Sequence, residues 1–277
     1  MVGLPSTRKA SANTAGLKAR RHSCLVTDNF SSWLQAAEER YLADLTPAEL
    51  TRALRALSSC YVERRSKLPE GHALAGTGKR AAFALFYGPL HFLTVFEIAK
   101  ALLPDASVSG RAAARPVVDL GCGTGAAGAA WALVGGGRVL GSDVNPWAVR
   151  EAGWTYHALG VEGHARHVAI DRVRWPERPA DLIAAFVLNE LPDATRQGLL
   201  PRLVDAARQH HRVLIVEPIA RRMSPWFSTW QSAFEAAGGR AADWRFRVEL
   251  PAMVRRLDKA VGLDHRELTA RTLQLGF

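Results

Sequence analysis

The run Val117-Val118-Asp119-Leu120 feeds straight into Gly121-Cys122-Gly123-Thr124-Gly125, and that into the helix-forming stretch Ala126–Leu133. An apolar strand, a glycine-dense turn and a helix in that order leave few architectures open. The glycines allow a sharp turn and let a ligand approach the backbone with no Cβ in the way. The helix that follows presents free N–H groups to polar ligand atoms. The alternation continues downstream. Strands are predicted at Arg138–Ser142, His164–Ile170, Leu182–Leu188, Val213–Val216, Trp244–Leu250 and Leu268–Leu275, and helices at Pro146–Leu159, 194–208, Pro225–Ala237 and 251–260. The unbroken apolar run Leu182–Leu188 reads as a strand buried on both faces. Together these predict an α/β, doubly wound parallel sheet, with ligands taken up at the rim formed by the strands' carboxyl ends.

Residues 28–110 read as a helical N-terminal region ahead of an α/β domain over 111–277. A first helix is expected at 30–43. Thr46-Pro47-Ala48-Glu49 is a capping box with proline at the first helical position. Leu45 and Leu50 sit where a hydrophobic staple would, and Leu50, Ala53, Leu54, Leu57 and Tyr61 recur at helical spacing. A basic, glycine-rich loop is expected from Glu63 to Arg80. The uncharged aromatic stretch Ala81–Phe96 is interrupted by Gly88-Pro89 and is too short to span a bilayer, so it reads as two buried helical pieces and no membrane partner is expected. Gly76-Thr77-Gly78-Lys79-Arg80 hints at a phosphate loop, but no strand precedes it and Arg80 stands where a hydroxyl residue belongs. Pro104 to Pro116 reads as a linker. Residues 1–27 read as a disordered basic tail whose first 22 residues hold no acid, a composition shared with organelle transit peptides.

The net charge is +10, and arginine (30) far outnumbers lysine (6). Arginine suits forked contacts to phosphate, but a GC-rich genome yields the same bias, so charge alone leaves an RNA or ribosome partner open. Cys24, Cys60 and Cys122 are far apart and lack CxxC spacing. They predict neither disulfides nor a structural metal, and point to a reducing compartment: cytoplasmic, with an organelle matrix as the alternative. His157, His164 and His167 lack the accompanying ligands of a metal site.

A glycine turn also serves NAD and FAD, and Gly121-x-Gly123-x-x-Ala126 fits the permissive dinucleotide pattern. Asp119, two residues ahead of the first glycine, would repel a pyrophosphate and suits a ligand bearing ammonium and sulfonium charge. The passage resembles motif I of the class I S-adenosylmethionine-dependent methyltransferases, in which Asp-Leu-Gly-Cys-Gly-Thr-Gly is common, and the resemblance covers 116–277. It implies a Rossmann-like seven-stranded sheet with an antiparallel last strand and methyl transfer from S-adenosyl-L-methionine. Implied cofactor contacts are Asp119, Gly121, Cys122, Gly123, Thr124, Gly125, Asp143, Val144, Asp171 and Leu188. Asp143 closes the second predicted strand, where an acid accepts hydrogen bonds from ribose hydroxyls; a helix cap before Asn145-Pro146 is the other reading. Asp171 is implied to meet the adenine amine, or is a plain loop aspartate. The loop after the fourth strand is implied to lie beside the reactive methyl. Asn189 and Glu190 are therefore the catalytic candidates, with capping of the next helix as the bland alternative. The Asn/Asp-Pro-Pro-aromatic motif of many amine methylases is absent, which argues against an exocyclic base amine or a glutamine amide as acceptor.

A second resemblance rests on Cys60–Arg65, Ala81–Leu93, Asn189-Glu190-Leu191 and Val216-Glu217-Pro218. These look similar to the mitochondrial ribosomal small-subunit methyltransferase-like family and its bacterial relatives, without the cysteine cluster of some members. Ribosomal RNA thereby becomes one acceptor to consider, and a non-catalytic ribosome-assembly or RNA-binding factor remains the alternative to an enzyme. A nicotinamide-dependent oxidoreductase is a third reading. Arg64, Arg65, Lys67, Lys79 and Arg80 would contact RNA phosphates or be merely solvated. Trp226, Trp230, Trp244 and Phe246 would line an acceptor pocket or pack in the core.

Overall fold

The computed structural model describes residues 26, 28–63, 74–103, 114–220 and 224–277. The expectations for the basic tail apart from Val26, which is helical and buried where disorder was expected, for Arg64, Arg65 and Lys67 and for most of the linker after Leu103 fall outside those residues.

Seven strands form one sheet: β1 (Val117–Leu120), β2 (Val139–Asp143), β3 (Gly163–His167), β4 (Asp181–Ala185), β5 (Arg212–Glu217), β6 (Arg240–Phe246) and β7 (Leu268–Leu275). Their order is β3-β2-β1-β4-β5-β7-β6. The first five are parallel, and β7 inserts antiparallel between β5 and β6. The order reverses beside β1, so the carboxyl ends of β1 and β4 flank the crevice where such sheets bind ligands.

Three predicted strands shift, one of them His164–Ile170, which forms β3 at Gly163–His167 and gives way to a turn at Ile170–Arg172. Trp244–Leu250 was expected; β6 instead runs Arg240–Phe246, because pairing from Arg240↔Gln274 to Phe246↔Leu268 fixes its register against β7. The strand expected at Leu182–Leu188 ends at Ala185. Phe186 adopts φ 59° and turns the chain out of the sheet, although its N–H still donates to the Val216 carbonyl at 2.8 Å.

Helices cover both faces. On one lie α1 (28–42), α2 (Pro47–Glu63), α3 (Thr77–Leu102), α4 (Ala126–Gly135), α5 (Pro146–Ala158) and α8 (Ala252–Ala260). On the other lie α6 (Asp193–Arg208) and α7 (Phe227–Ala236). Phe30, Trp33, Leu54, Phe92 and Ile98 share one buried cluster with Val117, Trp131 and Val139, so the N-terminal helices are built into the core of the sheet. The capping box forms as the sequence predicts: the Thr46 N–H donates to Glu49 Oε2 at 2.9 Å, and the Glu49 N–H to Thr46 Oγ1 at 3.3 Å.

Helix α3 departs from expectation at both ends of its argument. It starts at Thr77, inside the segment read as loop, and packs on α2 so closely that a Cβ on Gly78 would lie 3.1 Å from the Ala53 Cβ. It then runs unbroken through Gly88-Pro89. Proline removes one N–H from the helical ladder, and the chain absorbs this with a π turn at Phe83–Tyr87, in which the Gly88 N–H donates to the Phe83 carbonyl. By length and composition Thr77–Leu102 could cross a membrane, but most of it is buried inside the protein.

Candidate active site

The turn after β1 is cramped. Gly121 has φ 68°, and a Cβ there would fall 2.3 Å from Val187 Cγ2, so only glycine lets the loop after β4 close over the turn. Gly123 donates its N–H to Asp143 Oδ2 at 2.9 Å, and Asp143 Oδ1 accepts the Asn145 N–H at 2.8 Å. Asn145 is the cap of α5, with its Oδ1 accepting from Trp147 and Ala148. That leaves Asp143 at the tip of β2 to hold the glycine turn in place. Burial pushes its carboxyl above the usual range, against the pull of these backbone bonds.

Asp119 is buried beneath the same turn and accepts the Gly128 N–H at 3.0 Å. Desolvation pushes its carboxyl up to about 7, against that bond, with the neighbouring Asp143 charge adding to the rise. Both acids line one cavity of about 440 Å³, a volume in the range of small-molecule sites. Gly121, Cys122, Gly123 and Thr124 line it as well. So do Val144, an apolar side chain held 63% exposed beside it, and Asp171, on the turn Ile170–Arg172.

Two of the expected cofactor contacts are not in that wall. Gly125 is turned away, at the start of α4 and packed on Tyr156, where a Cβ would meet Cε1 at 2.7 Å. Leu188 is fully buried in the cluster under α6 and α7, and its N–H donates to Glu217 Oε1 at 3.0 Å.

The two catalytic candidates separate. Asn189 lines the cavity, but its amide is already committed. Nδ2 donates to Glu217 Oε2 and to Ser224 Oγ, and Oδ1 accepts the Trp226 indole N–H at 3.0 Å. It braces the loop and has little left to offer an acceptor. Among the described residues the Glu190 carboxyl has no hydrogen-bond partner. Burial, and secondarily the Asp143 charge, push it up to about 8. Trp226 therefore acts behind the loop, while Trp230 is buried in the core and Trp244 donates to Thr272 Oγ1 and stacks on Phe246.

Sequence reasoning missed the rest of the wall. Glu217, fully buried at the end of β5, anchors the loop after β4. Its signals were an acid closing the apolar run Val213–Val216 and the Val216-Glu217-Pro218 element of the second resemblance, neither of which gave it this role. Phe83, Tyr87 and His91 of α3 also face the cavity. Their spacing of four residues was legible, but nothing in it told a cavity wall from a core face.

The donor set fits an adenosyl cation. A glycine turn with no room for a Cβ lies between two carboxylates, and no lysine or arginine lines the cavity among the described residues. No curated protein sequence matches the chain. Magnesium protoporphyrin IX methyltransferase (ChlM) from Synechocystis PCC 6803 is 16% identical, with 84% of this chain and 97% of that one covered and a TM-score of 0.45. The TehB-like S-adenosylmethionine-dependent methyltransferase of Corynebacterium glutamicum is 20% identical over 63% and 86%, with a TM-score of 0.39. The YcgJ protein of Bacillus subtilis is 13% identical over 64% and 95%, with a TM-score of 0.41. Residues 117–210 match the family described as a methyltransferase domain. With its seven-stranded topology and acid-flanked glycine turn, the chain has a Rossmann-like methyltransferase fold, its residues 117–210 match a methyltransferase domain, and the site fits S-adenosylmethionine as cofactor.

Proposed function

We propose that this protein is an active methyltransferase in which Glu190 receives the proton of the acceptor. The observation that carries the reading is that one cavity holds the cofactor-type turn and the Glu190 carboxyl, which has no hydrogen-bond partner among the described residues. When bound, S-adenosylmethionine supplies a methyl carbon already activated by the sulfonium charge. The protein's own work is orientation. Asp143 and the glycine turn hold the adenosyl end, with Val144 and Asp171 beside them. Asn189, clamped by Glu217, Ser224 and Trp226, fixes the backbone that carries Glu190. A base is needed only when the nucleophile arrives protonated, and Glu190 is the group placed for that task. A positive charge next to it favours its ionised form.

The test is incubation with cofactor carrying a tritiated methyl group and cell extract, followed by sorting of label among RNA, protein and small molecules. Transfer is expected, and Glu190→Gln should lower it while cofactor affinity at low pH is kept. Label in no fraction, with cofactor bound, would refute catalysis and favour the ribosome-assembly or RNA-binding reading.

A further inference from the structure

The wall of the cavity facing the cofactor turn is made of rings. His91 stacks on Phe186 with centroids 4.1 Å apart and planes 15° from parallel. Phe83 meets His91 edge-on at 6.0 Å, and Tyr87 lies 5.8 Å from Phe83 and 6.1 Å from His91. All four line the cavity. Phe186 reaches this cluster only because it takes φ 59°, an uncommon conformation for a bulky non-glycine residue that costs energy to hold. Among the described residues neither ring nitrogen of His91 has a hydrogen-bond partner. Burial holds its imidazole neutral, with a pKa of about 3.

Among the described residues the ionisable groups of the cavity wall, apart from neutral His91, are acids or the Tyr87 phenol and the Cys122 thiol. Asp119, Asp143, Asp171, Glu190 and Glu217 line the cavity, and no described cation does. Three arginines reach rim residues, each giving at least one N–H to a backbone carbonyl, and Arg196 also pairs with the Asp193 carboxylate. Arg80 donates to Leu74, Arg196 to Leu188 and Leu191, and Arg202 to Asp171 and Val173. A base turned out of an RNA strand would bring flanking phosphates to this rim, and such phosphates are met by free arginine or lysine.

We propose that the ring cluster Phe83, Tyr87, His91 and Phe186 is an acceptor subsite for a small, planar aromatic compound that bears no phosphate or carboxylate. Stacking on the rings orients it, and the acidic surroundings reject anions. The proposal rests on the methyltransferase reading above.

The test is calorimetric titration of the full chain, first with S-adenosylhomocysteine and then, when saturated with it, with 2-naphthol, 2-naphthyl phosphate and a short single-stranded RNA. 2-Naphthol should bind, and the other two should bind at least about tenfold more weakly. His91→Leu and Tyr87→Leu should each weaken 2-naphthol about three- to tenfold, as loss of a ring contact does. Tyr87→Phe should keep the affinity, and none of these changes should move the affinity for S-adenosylhomocysteine. Tighter binding of the phosphate ester or of RNA, or no binding of 2-naphthol by the saturated wild-type chain, overturns the subsite without touching the cofactor reading. Unchanged naphthol affinity in both leucine variants does the same. Failure to bind S-adenosylhomocysteine would sink both.

Discussion

Glycine in the middle of a helix is ordinarily a weakness, and replacing it with alanine stabilises an exposed helix by about 1 kcal/mol. Gly198 of α6 and Gly128 of α4 are both helical, yet the structure predicts opposite outcomes for them. A Cβ on Gly198 meets nothing within 4 Å, so Gly198→Ala should gain about 0.5–1 kcal/mol. A Cβ on Gly128 would lie 2.4 Å from Asp119 Oδ2 and 2.9 Å from its Cγ. Asp119 sits on β1, which is paired on both sides, so the strand cannot give way. The carboxyl must swing off, losing the Gly128 N–H at 3.0 Å, or α4 must lift. Loss of that buried hydrogen bond costs about 1–3 kcal/mol. Overpacking adds about 1–3 kcal/mol. Set against the helix-propensity gain of about 1 kcal/mol, Gly128→Ala should destabilise by about 1–5 kcal/mol. Because Asp119 lines the cavity, the variant should also bind cofactor more weakly. Urea denaturation followed by far-ultraviolet circular dichroism, with Gly198→Ala as the matched control, measures the first, and calorimetry the second. A Gly128→Ala protein as stable as the wild type would refute the assigned packing of Asp119 under the glycine turn.

Asp143→Asn keeps an acceptor for one of its two backbone donors and turns an amide toward the other, so cofactor affinity should fall by about 1.5–3 kcal/mol in calorimetry. Asp119 and Glu190 have folded-state values raised to about 7 and about 8, so the ligand-free protein keeps protons that an unfolded chain has lost. Its stability should therefore decline as pH climbs from the ordinary carboxylate range to about 8 and level off above that. A bound cation favours the ionised forms, so affinity for S-adenosylmethionine should rise over pH 6 to 9 while His91 stays neutral. Glu190→Gln should flatten the upper part of that rise, and an unchanged profile in this variant would count against the placement of Glu190. Thr46→Ala should cost about 1 kcal/mol by removing one half of the capping box, read as a drop in the urea midpoint.

What the sequence showed plainly was local. The glycine turn, the Thr46–Glu49 box and the Asn145-Pro146 helix start are each written in a few adjacent residues, and each formed where read. The strand ends at Ala185 and Phe246 were misplaced because register against a distant partner decides them, and an apolar run carries no mark of where pairing stops. That Asp119, the glycine turn and Asp143 line one cavity was legible from spacing along β1 and β2. The ring wall was not, since Phe83, Tyr87 and His91 meet Phe186 only through tertiary packing across nearly a hundred residues. Asn189 was named from its position in a loop, but its role depended on Glu217, Ser224 and Trp226, which no local pattern links to it.

The π turn in α3 carries a consequence for how such a chain can change. Four residues overshoot one α-helical turn by about 40°, so side chains at positions 83, 87 and 91 of a regular helix would wind away from a common direction. The widened turn offsets that drift. Deleting one residue between Phe83 and Tyr87 would close the widened turn to regular winding and leave Phe83, Tyr87 and His91 three and four residues apart, still on one helix face. The extra residue is thus a local insertion that the helix swallows without turning its two parts against each other. The ring wall should outlast the loss of that one codon, with the sheet and its glycine turn unmoved.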